Sequence, residues 1–369
     1  MLINSTSFPG ISFEHFDKKR VLNTTTVIRG RFRFHSTDSA NVWQIRPDPD
    51  QGELLVEDSY YNDDLNDTVR FEADLAPFKP HTDIIFNGNS YSANRQPQKT
   101  WQCGIKVERD GKTLLNKKLQ VTGPRQWEKV IKPLGWRLTP ASPAIKVALN
   151  YSNAFGGTYE EDAPEKDEQD RWFKQYKPNP AGSGYFHSKE KTKQYSAPQV
   201  EFIEDPVTST SGEHKPASFG SVLRHSSPRL EKAGTYDDKW LENEHPFYPR
   251  NFNEAHFQSA PDDQQIKEYL KGGEKITLAY LLPGEKIHQF DLPNYEVFCF
   301  FNPKEEDCPI AQMNLDTVLI DTESEQSRDW RVYLTWRIRI PTLSRIKEIE
   351  THILTVSYTH LTLPTKRIV

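Results

Sequence analysis

Cysteine is scarce in this 369-residue sequence: Cys103, Cys299 and Cys308 are the only three. An odd number with no metal-ligand spacing rules out a disulfide framework or a cysteine-rich zinc site as the organising device. The three are read as reduced thiols of a cytoplasmic protein. Long apolar runs are missing too; the longest, near Leu278–Leu282 and Val297–Phe301, are far too short to span a bilayer. The opening MLINSTSFPGISFE has neither a basic n-region nor an apolar h-region, so no secretory signal is expected. Charge of one sign is not in excess. A net charge of −5 gives no electrostatic case for a nucleic acid or an anionic membrane as partner. Histidines such as His81, His187, His214, His225, His245 and His256 never fall in H-x-x-x-H or H-E-x-x-H spacing. Ser218–Ser221 reads S-F-G-S rather than a nucleophile elbow. No metal and no cofactor are expected.

Aromatics are what the chain has instead: 8 Trp, 15 Tyr and 20 Phe. Each ring buries roughly 150–250 Å², so a substantial core is within reach despite a mean hydropathy of −0.76. The densest run is Pro216–Glu274. Phe219, Tyr236, Trp240, Phe247, Tyr248, Phe252 and Phe257 sit there among Pro228, Pro246, Pro249 and Pro261. A disordered linker would lack the aromatics, and a regular element would lack the prolines. The pattern predicts a long ordered loop pinned to a scaffold by its rings, a kind of loop that is usually functional.

Period-2 alternation dominates the rest. Ile28, Phe32 and Phe34 alternate with Arg29, Arg31 and Arg33, whose arginines form the polar face of a strand. Residues 68–75 alternate throughout. Gly104–Glu108 and Thr113–Val121 flank Asp110-Gly111, a strong hairpin signal. Further strands are expected at Ile84–Phe86, Ala144–Tyr151, Lys275–Leu282, Ile287–Leu292, Glu296–Phe301, Thr317–Asp321 and Trp330–Ile340. A short helix is expected over Asp262–Lys271, stopped by Gly272-Gly273. The acidic stretch 158–175 and the polar stretch 204–215 read as solvated loops. The fold class is therefore mainly β: antiparallel packed sheets, sandwich-like, with long ordered loops and a few short helices. The organisation is an opening segment 1–20 and a β-rich domain 21–340, either one unit or two subdomains with a loop-rich linker around 158–260. Residues 341–354 read as a short helix or a truncated continuation. Residues 355–369 read as the translation of a sequencing adaptor, which puts the natural end near Leu354.

Each cluster with chemical potential has a plain structural reading beside it. Lys79, His81 and Asp83 suit acid–base work or a turn whose Asp accepts backbone N–H groups. Asp237-Asp238 and Asp262-Asp263 suit paired-carboxylate chemistry or helix capping. Ala154–Gly157 and Asn179–Gly184 suit phosphate cradling or tight turns holding loops close. Tyr236, Trp240 and Phe247 suit loop packing, a protein contact or sugar stacking.

Six motifs together carry a resemblance. They are Lys79-Pro-His-Thr-Asp83, Gly123-Pro-Arg-Gln-Trp127, Ala154-Phe-Gly-Gly157, Asn179-Pro-Ala-Gly-Ser-Gly184, Ala233-Gly-Thr-Tyr-Asp-Asp-Lys-Trp240, and Ala260-Pro-Asp-Asp-Gln-Gln265 followed by Gly272-Gly-Glu274. In this order, over about residues 20–322, the chain resembles a bacterial family of unknown-function domains encoded beside type VI secretion genes. One departure is Pro124, where the family usually has Asp. The resemblance implies a non-enzymatic adaptor or chaperone that binds a PAAR-like domain protein or effector and helps load it onto the VgrG spike. It also implies, as partner-binding or motif residues, Lys79, Asp83, Arg125, Trp127, Phe155, Asn179, Arg229, Tyr236, Asp237, Trp240, Phe252, Asp262 and Gln264. The competing expectation is a β-sandwich carbohydrate-binding module or glycan hydrolase acting on envelope polysaccharide.

Overall fold

Alternation along the strand Leu22–Ser36 sets the plan of the molecule. Ile28, Phe32 and Phe34 enter the main apolar core, so Arg29, Arg31 and Arg33 must point to the opposite face. The neighbouring strand Arg331–Pro341 pairs antiparallel with it in the same phase. Val332, Leu334 and Trp336 join the core, and Arg331, Tyr333 and Arg337 turn the other way. The computed structural model describes residues 1–63, 67–130, 135–161, 172–186, 195–305, 308–342 and 346–355.

These two strands are the middle of a twelve-stranded sheet, mostly antiparallel. Its path runs from Val200–Glu201 through Lys112–Thr122, Thr100–Arg109, Lys275–Ala279, Ile287–Asp291 and Val42–Pro47. It continues through Leu22–Ser36, Arg331–Pro341, Asn314–Asp321 and Thr82–Asn87 to Gln265–Ile266. Gly10–Phe16 pairs with the first half of Leu22–Ser36. The sheet curls until its two ends meet. Lys117, on the 112–122 strand, reaches Ser218 O at 2.7 Å, Asp263 Oδ1 at 2.9 Å and Gln264 Oε1 at 2.7 Å beside the far end. A four-stranded sheet, Leu2–Asn4, Ile349–Thr355, Tyr295–Phe301 and Ile310–Gln312, closes the core with Val297, Cys299, Phe301 and Ile349. The mainly β, sandwich-like architecture is as the alternation predicts. The hairpin at Asp110-Gly111 forms with both residues at positive φ, 50° and 76°, which matches the twist of paired strands.

Two of the predicted elements are corrected. The predicted strand 68–75 stops at Phe71, because Asp74 is drawn aside to accept Leu55 N–H at 2.8 Å and to pair with Arg29 at 3.1 Å. The predicted helix 262–271 is one 3-10 turn, Asp262–Gln264, followed by the strand Gln265–Ile266 on the edge of Thr82–Asn87. Asp262 and Asp263 accordingly cap nothing and face lysines instead. The stretch 341–354, read as a short helix or a truncated continuation, leads into the strand Ile349–Thr355, which is paired on both sides. The opening segment supplies two strands, Leu2–Asn4 and Gly10–Phe16. Of the acidic stretch, Thr158–Glu161 and Trp172–Gln175 pair as a hairpin; residues 162–171, His187 and the adaptor-like 356–369 lie outside the described residues.

Candidate functional site

The arginine face of the sheet is not open to water. Segments 48–63, 67–78 and 222–260 cover it and bring acids to it, forming a buried ionic layer over the apolar core. Asp48, with a fully buried side chain, faces Arg31 at 3.3 Å, Arg33 at 2.7 Å and Arg331 at 2.7 Å. Burial alone would raise its pKa, but the hydrogen bond from Arg33 and the Arg331 and Arg31 charges hold it below the usual carboxylate range. Arg29 pairs with Asp74 and lies 4.4 Å from the Tyr333 ring. Arg337 pairs with Asp316 and donates to Asp74 O at 3.0 Å. Glu72 takes Arg229 at 2.6 Å and Arg224 at 3.0 Å. Burial opposes its charge, and Arg229, Lys79 and Arg224 overcome that, so its pKa falls to about 2.

The motif residues fasten covering segments to this frame. Lys79 Nζ sits 2.8 Å from Asp83 Oδ2, and Asp83 is wholly buried. That carboxylate also accepts Ser259 N–H at 2.8 Å and a bond from the Gln258 amide, which ties 258–259 to the sheet. Arg229, 3 % exposed, donates to Val222 O at 2.8 Å and His256 O at 3.0 Å besides holding Glu72. Gln264 donates to Ile84 O and Phe219 O, at 2.7 and 3.0 Å, while accepting from Lys117. Phe252 is buried and stacks on Tyr248 with centroids 4.1 Å apart.

A second small core holds the middle motifs together. Trp127, Phe155, Phe186, Ala197 and Val207 pack as one cluster. Arg125 donates to Pro198 O at 3.0 Å and to Glu201 at 2.7 Å, and the same Glu201 oxygen accepts Val207 N–H at 2.9 Å. The Ala154–Gly157 and Asn179–Gly184 motifs interlock: Phe155–Gly156 pairs in parallel with Ser183–Gly184. Asn179 Nδ2 donates to Tyr151 O and Phe155 O, and Asn179 O accepts Gly157 N–H at 2.9 Å. A Cβ at Gly156, where φ is +154°, would lie 2.1 Å from Asn179 O. Only glycine allows that approach. Asp237 caps the helix Asp238–Asn243 by accepting Trp240 N–H at 2.9 Å, and Trp240 Nε1 donates to Phe247 O. Tyr236 rests edge-on against Trp240 and stays 53 % exposed.

Between the two cores the fastened loops leave an open cleft of about 710 Å³. Its wall includes Phe202, Glu204, Asp205, Pro228, Lys232, Asp262 and Asp263. Arg229 and Asp262 are the two sequence-derived residues that line it. Asp262, largely exposed, pairs with Lys232 at 2.9 Å.

A family model described as an uncharacterized protein conserved in bacteria, DUF2169, matches residues 20–337. The chain belongs to the DUF2169 family. No curated protein and no solved structure matches it. None of the structure's helices, among the described residues, is long and apolar enough to cross a membrane.

Two parts of the DUF2169 site are not in the sequence reading. The first is the set of acids, Asp48, Glu72, Asp74 and Asp316, that meets the arginine face; three arginines on alternate positions of one strand were the available signal. The second is Asp205 and His214, whose Nδ1 and Oδ1 are 3.0 Å apart. Ser209 Oγ lies 3.5 Å from His214 Nε2, which completes the composition of a catalytic triad. That distance is beyond a working O–H···N bond, and Thr208 N–H points to the same nitrogen at 3.4 Å. With its ring also packed edge-on to Phe155, 5.0 Å between centroids, His214 acts as a staple for the 205–215 loop.

Proposed function

We propose that this DUF2169 protein is a non-enzymatic type VI secretion accessory protein that binds a PAAR-like domain protein or effector and helps load it onto the VgrG spike. The observation that carries the reading is how the motif side chains are used. Lys79, Asp83, Arg125, Asn179, Arg229 and Gln264 are each buried or nearly so, and each spends its polar atoms on backbone or on an internal counter-ion. Such residues define the shape of loops rather than a reaction. A rigid sheet that presents firmly held loops, an open cleft and a few exposed aromatics has the makings of a binding surface. The resemblance to domains encoded beside type VI secretion genes gives the partner class.

Co-purification tests this. The chain is co-expressed with the neighbouring PAAR-like protein, and separately with that protein lacking its PAAR-like domain. A complex with the intact partner alone is expected. Tyr236→Ala, at an exposed ring, then weakens the complex without altering the fold. Absence of a complex with any neighbouring gene product would refute the reading.

A further inference from the structure

Where the two ends of the curled sheet meet, side chains bridge them and backbone does not. One rim of this seam is the outer edge of Lys112–Thr122. Val200–Glu201 pairs only with Gln120 and Val121, so the stretch from Lys112 to Lys118 has no strand beside it on that edge. Thr122 N–H donates to Gln199 O, which fixes the phase of the edge. Asn116 and Lys118 therefore turn their N–H and C=O groups the same way, away from Thr100–Arg109. The two-residue turn at Asp110-Gly111 makes Lys112 the bonded partner of Arg109, so Thr113 points outward as well. The facing rim is Gln265–Ile266 with Lys267. Phe86 N–H donates to Phe219 O, and Gln264 Nε2 bonds Ile84 O, so the even-numbered residues of Thr82–Asn87 look toward this rim. Ile266 answers Thr82, and Gln265 and Lys267 turn away from that strand. The N–H groups of Thr113, Asn116, Lys118, Gln265 and Lys267 have no hydrogen-bond partner among the described residues.

Between the rims lies an open groove of about 420 Å³, lined by Lys112, Thr113, Leu114, Gln265, Lys267 and Glu268. Only long side chains cross the seam, Lys117 to Asp263 at 2.9 Å and Lys112 to Glu268 at 3.6 Å. The second pair is exposed, so it opens at little cost. Two facing rows of free backbone donors and acceptors are answered by an extended chain, which presents N–H and C=O groups on both of its edges. The neighbouring side chains set its character. Leu115 and Ile266 are buried on the core side, so the residues of the incoming strand that face inward are apolar. On the solvent side Lys118 and Lys267 are exposed and belong to no ion pair among the described residues, and Glu268 is already held by Arg109 and Lys112. The residues that face outward are therefore acidic. We propose that the seam receives a short extended segment of the protein partner, alternating apolar and acidic residues, as the closing strand of the sheet. That the donor is a secretion-associated partner rests on the adaptor reading; the strand chemistry does not.

The test follows amide exchange of the whole chain at 113–118 and 265–267. The probe is acetyl-Glu-Val-Glu-Val-Glu-Val-amide, titrated in parallel with the charge-reversed acetyl-Lys-Val-Lys-Val-Lys-Val-amide. The expected result is a saturable slowing at both rims with the glutamate peptide and roughly tenfold weaker binding of the lysine peptide. Asn116→Pro and Lys267→Pro each remove one outward N–H and take no bond from the sheet, since proline is tolerated on a free edge. Each should weaken the glutamate peptide by roughly tenfold, while Asn116→Ala binds it as the parent does. The exposed double change Lys118→Glu/Lys267→Glu leaves the backbone alone and should reverse the preference between the peptides, which keeps the test decisive if a proline variant fails to fold. No slowing at saturating peptide, slowing at one rim only, or equal binding of the two peptides overturns the proposal. So does slowing that appears without peptide as the protein concentration rises, which would make the occupant a second copy of this chain. If the glutamate peptide binds while co-purification fails, the closing strand stands and the adaptor reading falls. If the PAAR-like partner co-purifies equally well with both proline variants, the adaptor reading stands and the closing strand falls.

Discussion

Lys79 and Asp83 allow the fastening role to be measured as a coupling. The pair is 2.8 Å apart, with side chains 5 % and 0 % exposed, and the same carboxylate holds Ser259 N–H. Lys79→Met keeps the aliphatic stem and removes the ammonium, leaving a buried carboxylate with only neutral donors. Asp83→Ala strands a buried ammonium and orphans Ser259 N–H. Removing one partner of a buried pair costs about 3–5 kcal/mol, so each single variant should lose about that much. The double variant Lys79→Met/Asp83→Ala carries no stranded charge. Its remaining cost is chiefly the two orphaned donors, Ser259 N–H and the Gln258 amide, about 1–3 kcal/mol each, so the two changes should fall short of additivity by about 3 kcal/mol. Urea unfolding at pH 7 measures the cycle, and amide exchange at Ser259 adds a local readout. That amide should stay protected in Lys79→Met and lose protection in Asp83→Ala. Additive costs, or equal exchange in the two single variants, would refute the reasoning.

Glu72 predicts an acid-labile clamp. Its folded pKa of about 2 lies below the 4.5 of a free glutamate side chain. Its contribution is therefore present above pH 4.5 and is lost as pH falls toward 2, about 3 kcal/mol in all; Glu72→Gln should flatten that part of an acid-unfolding profile. Asp321 works in the opposite sense: burial first and Glu323 second raise its pKa to about 6 from 3.8. Its stabilisation is full below pH 3.8 and lost as pH rises through 6, so Asp321→Asn should be more stable than the parent at pH 8, by on the order of 1–3 kcal/mol, in thermal unfolding at both pH values. Gly156→Ala should prevent soluble expression or cost more than about 3 kcal/mol, because its Cβ would meet Asn179 O. Gly111→Ala, also at positive φ but with nothing within 4 Å, should cost only about 1 kcal/mol in the same unfolding assay.

Strict alternation made the sheet legible. The strand 331–341 was readable because each apolar residue faces one core and each polar residue one ionic layer, so its period is clean. Where a single side chain takes the backbone elsewhere, the pattern misleads. Asp74 completes an alternating run on paper, yet its two bonds to Leu55 and Arg29 require the chain to turn. Ile266 and Leu270 have helical spacing, but Gln264 needs to reach Ile84 O and Phe219 O, and the chain pairs with the sheet edge instead. In 349–355 Ile349, Thr351 and Ile353 alternate with Glu350, His352 and Leu354, the period of the strand that forms there. The motif residues were legible as a set, and the plain readings of Asp237 and the two glycine motifs match their geometry; Asp83 does accept a backbone N–H, but from Ser259 and from within the strand Thr82–Asn87 rather than in a turn. Their long-range partners were not legible. Glu72 lies 157 positions from Arg229, and Gln264 lies 180 from Ile84; no local pattern encodes such pairs.

Hydrogen–deuterium exchange of the chain, alone and with the PAAR-like partner, tests the binding-scaffold account most directly. The account predicts new protection at exposed or cleft-lining segments, around 203–205, 228–232 and 236–241. Amides held by the motif residues, such as Ser259 and Gly157, should exchange slowly in both states. Partner-induced ordering of those motif-held amides, or no new protection anywhere at saturating partner, would contradict it.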